Sequence, residues 1–106
     1  MLSRLYGFGA ADKQVEYAAR SLILAEELSD DIHITESLTL LADAYFHLGN
    51  YQKSIEYSTS LYNIHHSANR EIETADALRM IAENHYNTSS FVEAKEYYER
   101  ALDIYK

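Results

Sequence analysis

The chain has 106 residues, 47% of them hydrophobic, which is enough for one soluble domain with an apolar core. Seventeen acidic against nine basic side chains give a net charge of -8, which excludes the phosphate-neutralising patch that DNA or RNA binding requires. There is no cysteine and no uncharged apolar run of about 18 residues, so we expect neither disulfides nor a membrane-spanning helix.

Helix-favouring composition extends along the whole chain. Proline is absent, only three glycines occur, and the helix-favouring residues Ala, Leu and Glu are common. Apolar residues recur at helical spacing in successive stretches. In chain order, we predict helices at roughly 11–28, 32–48, 51–66, 70–88 and 91–105. The predicted fold class is therefore all-α, with five helices.

Small and polar residues mark the breaks between the predicted helices. The four breaks are 29–31, 49–50, 67–69 and 89–90. Gly49 lets the chain turn, and the polar side chains can cap the free N–H groups of the following helix. Ser90 followed by Glu93 fits a capping box.

The chain repeats itself with a period of about 40 residues, within the range of helical repeat families. The aligned segments are 38–43 with 78–83, 55–57 with 95–97, and positions 9 and 15–17 with 49 and 55–57. Self-similarity at a fixed period indicates an array of helical hairpins, because unrelated helices do not keep register through their loops. We expect a single domain over 1–106, with a partial repeat at 1–30 and two full repeats at 31–69 and 70–106.

Two motifs within these units resemble the tetratricopeptide repeat. That family's first helix carries a large apolar residue, then a small one, then an aromatic three further on, as in Leu41-Ala42 with Tyr45. Its turn has glycine, a polar residue and an aromatic, with a small residue three positions later, as in Gly49-Asn50-Tyr51 and Ser54. The resemblance implies a right-handed superhelix of αα-hairpins, here about 2.5 repeats.

The sequence departs from the family pattern at several positions. His85 stands where the first helix has an aromatic, Ser89 replaces the turn glycine, and Ala11 replaces an aromatic in the partial repeat. The period is also longer than the roughly 34 residues that are usual for the family. Since Tyr17, Tyr57 and Tyr97 recur at one repeat position, we predict that they pack between hairpins and that His85 packs in place of a core aromatic.

In this family, the first helix of each repeat lines a concave surface that binds peptides or helices. The corresponding positions are Glu36, Thr39, Asp43, Phe46 and His47 in one repeat, and Asp76, Arg79, Glu83, Tyr86 and Asn87 in the next. Chaperone-binding members hold a terminal carboxylate with basic residues at such positions, whereas Asp43 and Glu83 are acidic. The resemblance therefore implies a protein or peptide partner that is neutral or basic, with an apolar anchor at Phe46 and Tyr86. The alternative is that these carboxylates only solvate an exposed face.

No motif predicts catalysis, a metal or a cofactor. The five histidines lack ligand spacing, since His65 and His66 point about 100° apart on a helix. No G-x-S-x-G elbow or glycine-rich phosphate loop occurs. We predict that the chain is not an enzyme and has no cofactor.

Three functions remain open at this point. The leading interpretation is an interaction scaffold, and the alternative is the peptide-sensing part of a larger bacterial transcriptional regulator or sensor kinase. A purely structural spacer is the third. Apolar residues of the last helix, Leu102 and Tyr105 among them, carry no polar cap, so we expect either part of a longer protein or a homo-oligomer.

Overall fold

Five helices follow one another without a strand in the part of the chain that the structure describes. The structure is a computed structural model, which describes the backbone of residues 2–106 and the side chains of residues 12–106. The helices are α1 (Leu2–Glu27), α2 (Asp31–His47), α3 (Tyr51–Ser67), α4 (Glu71–Asn87) and α5 (Phe91–Tyr105). Each helix packs chiefly against the next one in the chain. This arrangement confirms the predicted all-α array of helical hairpins.

The start of α1 differs from the prediction. The helix begins at Leu2 and runs through Gly9 rather than starting near residue 11. The repeat aligned Gly9 with the turn residue Gly49, but Ala10 follows Gly9, whereas Asn50 follows Gly49. Because alanine favours helix and its side chain cannot cap one, the chain continues as helix where the repeat predicted a turn.

All four connections have the same backbone structure. In each, one residue adopts the left-handed conformation: Ser29 (φ 53°), Gly49 (φ 79°), Asn69 (φ 60°) and Ser89 (φ 63°). The next residue donates its N–H to the carbonyl five positions earlier, as Asn50 does to Tyr45 over 2.9 Å. This pair of features is the Schellman motif, which satisfies the free carbonyls at a helix end. The left-handed positions are evenly spaced along the chain, so each repeat consists of two helix-plus-turn units of equal length.

The residue after each left-handed position is the N-cap of the next helix. Asp30 and Asn50 cap α2 and α3, each accepting a hydrogen bond of 3.2 Å from the N–H three residues on. Ser90 occupies the same position before α5 but makes no side-chain cap hydrogen bond. The predicted capping box is therefore wrong, and the Ser90 hydroxyl lies 3.5 Å from that of Thr88.

Small side chains between the helices allow close packing. One buried cluster joins Leu38, Leu61 and Ala77 across α2, α3 and α4. A second joins Ala75, Leu78 and Ala101 across α4 and α5. The remaining buried hydrophobic residues are mostly alanine, so helix backbones can approach closely and the domain stays thin.

A ring stack recurs between the two helices of each hairpin. Tyr45 stacks on Tyr57 with 5.8 Å between ring centroids and 9° between planes. One period later, His85 stacks on Tyr97 at 5.6 Å and 10°. The prediction that His85 packs as an aromatic is confirmed. For Tyr17 the prediction is wrong, because its side chain is 72% exposed and no described residue stacks on it.

Candidate partner-binding groove

A groove separates α2 from α4, and α3 forms its floor. We call it the α2–α4 groove; its volume is about 280 Å³. Five of the ten predicted binding residues line it: Thr39 and Asp43 from α2, and Asp76, Arg79 and Glu83 from α4. These residues meet because α2 and α4 each follow a Schellman turn and occupy equivalent places in consecutive repeats.

Sequence reasoning missed the floor of this groove. His65 and Leu61 reach it from α3, while Glu73, Ala77 and Met80 add to the α4 wall. The signal was present, because Leu61 and His65 are four residues apart and share one face of α3. The family pattern assigns binding to the first helix of each repeat, and for that reason it draws attention away from α3.

The other five predicted residues lie outside the α2–α4 groove. Glu36 lines an adjoining cavity of about 330 Å³, which shares Thr39, His65 and Glu73 with the groove. Phe46 and Tyr86 sit near the ends of α2 and α4. His47 and Asn87 follow them directly, and none of these four lines the groove.

Each of these two aromatic residues packs against the helix that follows its turn. The Phe46 ring meets Tyr51 edge-on with centroids 5.6 Å apart, and Tyr86 meets Phe91 at 5.4 Å. Both contacts are T-shaped pairs, a favoured geometry for aromatic rings. Tyr86 is nevertheless 59% exposed. The rings therefore flank the groove at the turn end of the hairpins.

Some charged side chains of the groove have a bonded partner and others have none among the described residues. Arg79 donates to Glu83 over 3.1 Å, and the Tyr105 hydroxyl donates to the carboxylate of Asp76. Burial opposes the charged form of Arg79, but the Tyr105 hydroxyl and the neighbouring carboxylates raise its pKa overall. Asp43 and Glu73 form no ion pair with any described side chain.

His65 is the titratable group on the floor of the groove. Its Nδ1 lies 3.2 Å from Nη1 of Arg70. Burial lowers the pKa of His65, and the positive charge of Arg70 lowers it further. The imidazole is therefore neutral at pH 7, and the lining of the groove keeps a negative net charge.

Comparison with known proteins identifies the family. The family model described as Tetratricopeptide repeat matches residues 31–106, and the chain belongs to that family. Tetratricopeptide repeats generally mediate protein–protein interactions and are typically non-enzymatic scaffolds. A search of curated proteins found no match, and a search of solved structures found none. None of the described helices is long and apolar enough to cross a membrane.

Proposed function

We propose that the chain is a scaffold whose α2–α4 groove binds a basic segment of a partner protein. The observation that supports this most directly is the pair of carboxylates, Asp43 on α2 and Glu73 on α4, which line the groove without a cationic partner among the described residues. An unpaired carboxylate facing a groove attracts lysine or arginine, and it also raises the association rate.

The charge of the lining agrees with a basic partner. Four carboxylates (Asp43, Glu73, Asp76 and Glu83) stand against one guanidinium (Arg79), which gives 1 − 4 = −3 with His65 neutral. Since Arg79 is already bonded to Glu83, a partner carboxylate would have to displace that ion pair. The groove therefore favours cationic over anionic segments, and the Asp43 and Glu83 positions do not suit a carboxylate clamp.

Apolar surface supplies the remaining contact. Met80 is the partly exposed apolar side chain of the lining, with Leu61 and Ala77 buried behind it, and the groove volume of about 280 Å³ accommodates one or two side chains. We infer that a leucine- or methionine-sized side chain enters there while flanking lysines meet Asp43 and Glu73. Phe46 and Tyr86 extend the contact surface towards the turns.

The test uses two labelled peptides, one alternating lysine with leucine and the other alternating glutamate with leucine. Fluorescence anisotropy should show binding of the basic peptide and weak binding of the acidic one. The double variant Asp43→Lys, Glu73→Lys should weaken binding of the basic peptide at least about tenfold, and raising the salt concentration should weaken it in the unaltered protein.

A matched control places the same charge change elsewhere. Glu96 and Glu99 are exposed on α5, away from the groove, so Glu96→Lys, Glu99→Lys should leave binding within about twofold. Equal binding of the two peptides, or unchanged binding by the groove variant, would show that the carboxylates only solvate this face.

A further inference from the structure

A second groove lies on the other side of α2, between α1 and α2. We call it the α1–α2 groove; its volume is about 370 Å³, and six of its residues are Tyr17, Ser21 and Leu24 of α1, Leu28 directly after α1, and Ser37 and Leu40 of α2. Tyr17 is 72% exposed, Leu24 57% and Leu28 68%, so no described residue covers this apolar surface. A contiguous exposed apolar patch rimmed by polar residues is typical of an interaction site.

The repeat relates this open groove to an equivalent surface on which a helix is packed. One period later in the sequence, the counterparts of Ser21, Ser37 and Leu40 are Leu61, Ala77 and Met80, which line the α2–α4 groove. At this later position in the sequence the equivalent surface, formed by α3 and α4, is covered by α2, whose Leu38 packs against Leu61 and Ala77. The α1–α2 surface is therefore equivalent to the α3–α4 surface, and of the two only the α3–α4 surface has a helix, α2, packed on it.

The side chains around the covered position show what the helix does. Tyr57, Ile64 and Met80 pack against the cluster that contains Leu38. Their counterparts one period earlier are Tyr17, Leu24 and Leu40, which are exposed. A helix placed on the α1–α2 groove as α2 is placed on α3 and α4 would bury all three.

The charged residues at the rim of the α1–α2 groove indicate which residue type suits the flank of that helix. In the α2–α4 groove, Thr39 and Asp43 of α2 share the lining with Glu73 and Asp76 of α4. The counterparts of those two acidic residues in the α1–α2 groove are His33 and Glu36, and Asp30 lies beside them. At pH values where His33 is neutral, this rim is negative, so basic residues suit the helix positions equivalent to Thr39 and Asp43.

We propose that the α1–α2 groove binds an amphipathic helix of another polypeptide, with apolar residues spaced as Ile34 and Leu38 are in α2 and basic residues on the adjacent flank. This is the helix-in-groove mode of recognition, in which apolar anchors at i and i+4 provide the contact. The proposal concerns a different surface from the α2–α4 groove and a helical rather than an extended ligand.

The probe is a synthetic peptide with the sequence of residues 31–48 in which lysine replaces Thr39 and Asp43. Anisotropy at pH 8 should show that it binds at least about tenfold more tightly than the same peptide with Thr39→Glu and Asp43 retained. In the protein, Leu24→Glu and Leu40→Glu should each weaken binding of the lysine peptide at least tenfold. Val92→Glu serves as the matched control, since Val92 is 78% exposed on α5.

Three results would overturn the proposal. The first is binding that survives both Leu24→Glu and Leu40→Glu in protein whose circular dichroism is unchanged. The second is binding abolished by Asp43→Lys, Glu73→Lys instead, which places the peptide in the α2–α4 groove and leaves the proposed scaffold function standing. The third is a dimer in sedimentation that Leu24→Glu converts to monomer, which makes a second copy the occupant.

Discussion

The side-chain amide of Asn84 on α4 donates a hydrogen bond of 3.0 Å to Oγ of Ser54 on α3, and both side chains are almost completely buried. Ser54 in turn donates to the carbonyl of Ala42 on α2 over 2.8 Å. One hydroxyl therefore connects three helices. Ser58 lies one turn further along α3 and is equally buried, but its hydroxyl has no hydrogen-bond partner among the described residues.

Substitution by alanine should change the free energy of unfolding differently at these two serines. Ser54→Ala removes both hydrogen bonds and leaves the Asn84 amide with one partner fewer, so we expect the free energy of unfolding to fall by about 1–3 kcal/mol. Ser58→Ala removes a buried polar group that has no partner, so stability should stay the same or rise by up to about 1 kcal/mol. Urea denaturation measures both. Equal losses in the two variants would contradict this account.

The Schellman turns predict a second pair of changes. Ser89 holds a left-handed backbone conformation that costs a non-glycine residue roughly 1–2 kcal/mol, so Ser89→Gly should raise the melting temperature, by about 4–8 °C for each kcal/mol gained. Gly49 has φ 79° and no atom within 4 Å of where a Cβ would stand. Gly49→Ala should therefore lower the free energy of unfolding by about 1 kcal/mol, and only because of the backbone conformation. A stabilising Gly49→Ala would show that the turn relaxes.

Protonation of His33 gives a prediction for pH. The side-chain hydrogen bond to Asp30 raises the pKa of His33 above its ordinary 6.5. In turn, the hydrogen bond from the backbone N–H of His33 and, to a smaller extent, the one from its imidazole lower the pKa of Asp30 below 3.8. The His33 contribution to stability is present below pH 6.5 and is lost as pH rises through its raised pKa. The Asp30 contribution is present above pH 3.8 and is lost as pH falls through its lowered pKa.

Titration of the imidazole protons by NMR tests this pair. His33 should titrate above 6.5, and Asp30→Asn should return its pKa towards that value. His65 is the internal control, because burial and Arg70 lower its pKa and Asp30 does not contribute to that shift. A His33 midpoint unaffected by Asp30→Asn would mean that the ion pair does not form in solution.

The α4–α5 core provides the largest expected loss. Leu78 is 2% exposed and clusters with Ala75 and Ala101, so Leu78→Ala should lower the free energy of unfolding by about 2–5 kcal/mol. Leu102 is on α5 but 58% exposed, and Leu102→Ala should cost about 0.5 kcal/mol or less. Chemical denaturation compares the two. A large loss for Leu102→Ala would indicate that this side chain is covered in solution, as an oligomer would require.

The helix ends are predicted accurately where the residues of the turn are distinctive. Both ends of α2 through α5 lie within one residue of the prediction, because Gly49-Asn50 and its counterparts are distinctive. The start of α1 was missed because Gly9 resembles a turn glycine in the repeat alignment, although Ala10, at the position of the capping residue Asn50, cannot cap a helix. Five groove residues were found from the binding positions of the family that the sequence resembles, whereas His65 required knowledge of how deeply α3 lies between α2 and α4.

Packing mainly between consecutive helices has a mechanical consequence. Because no long-range contact of comparable extent ties α1 to α5 among the described residues, tension applied at the two termini loads each helix boundary in series. The domain should then lengthen in steps, each releasing one helix together with its turn, and it should recoil from any partly extended state. Such an element would act as a compliant spring between whatever is attached to its ends, with its grooves opening as it stretches.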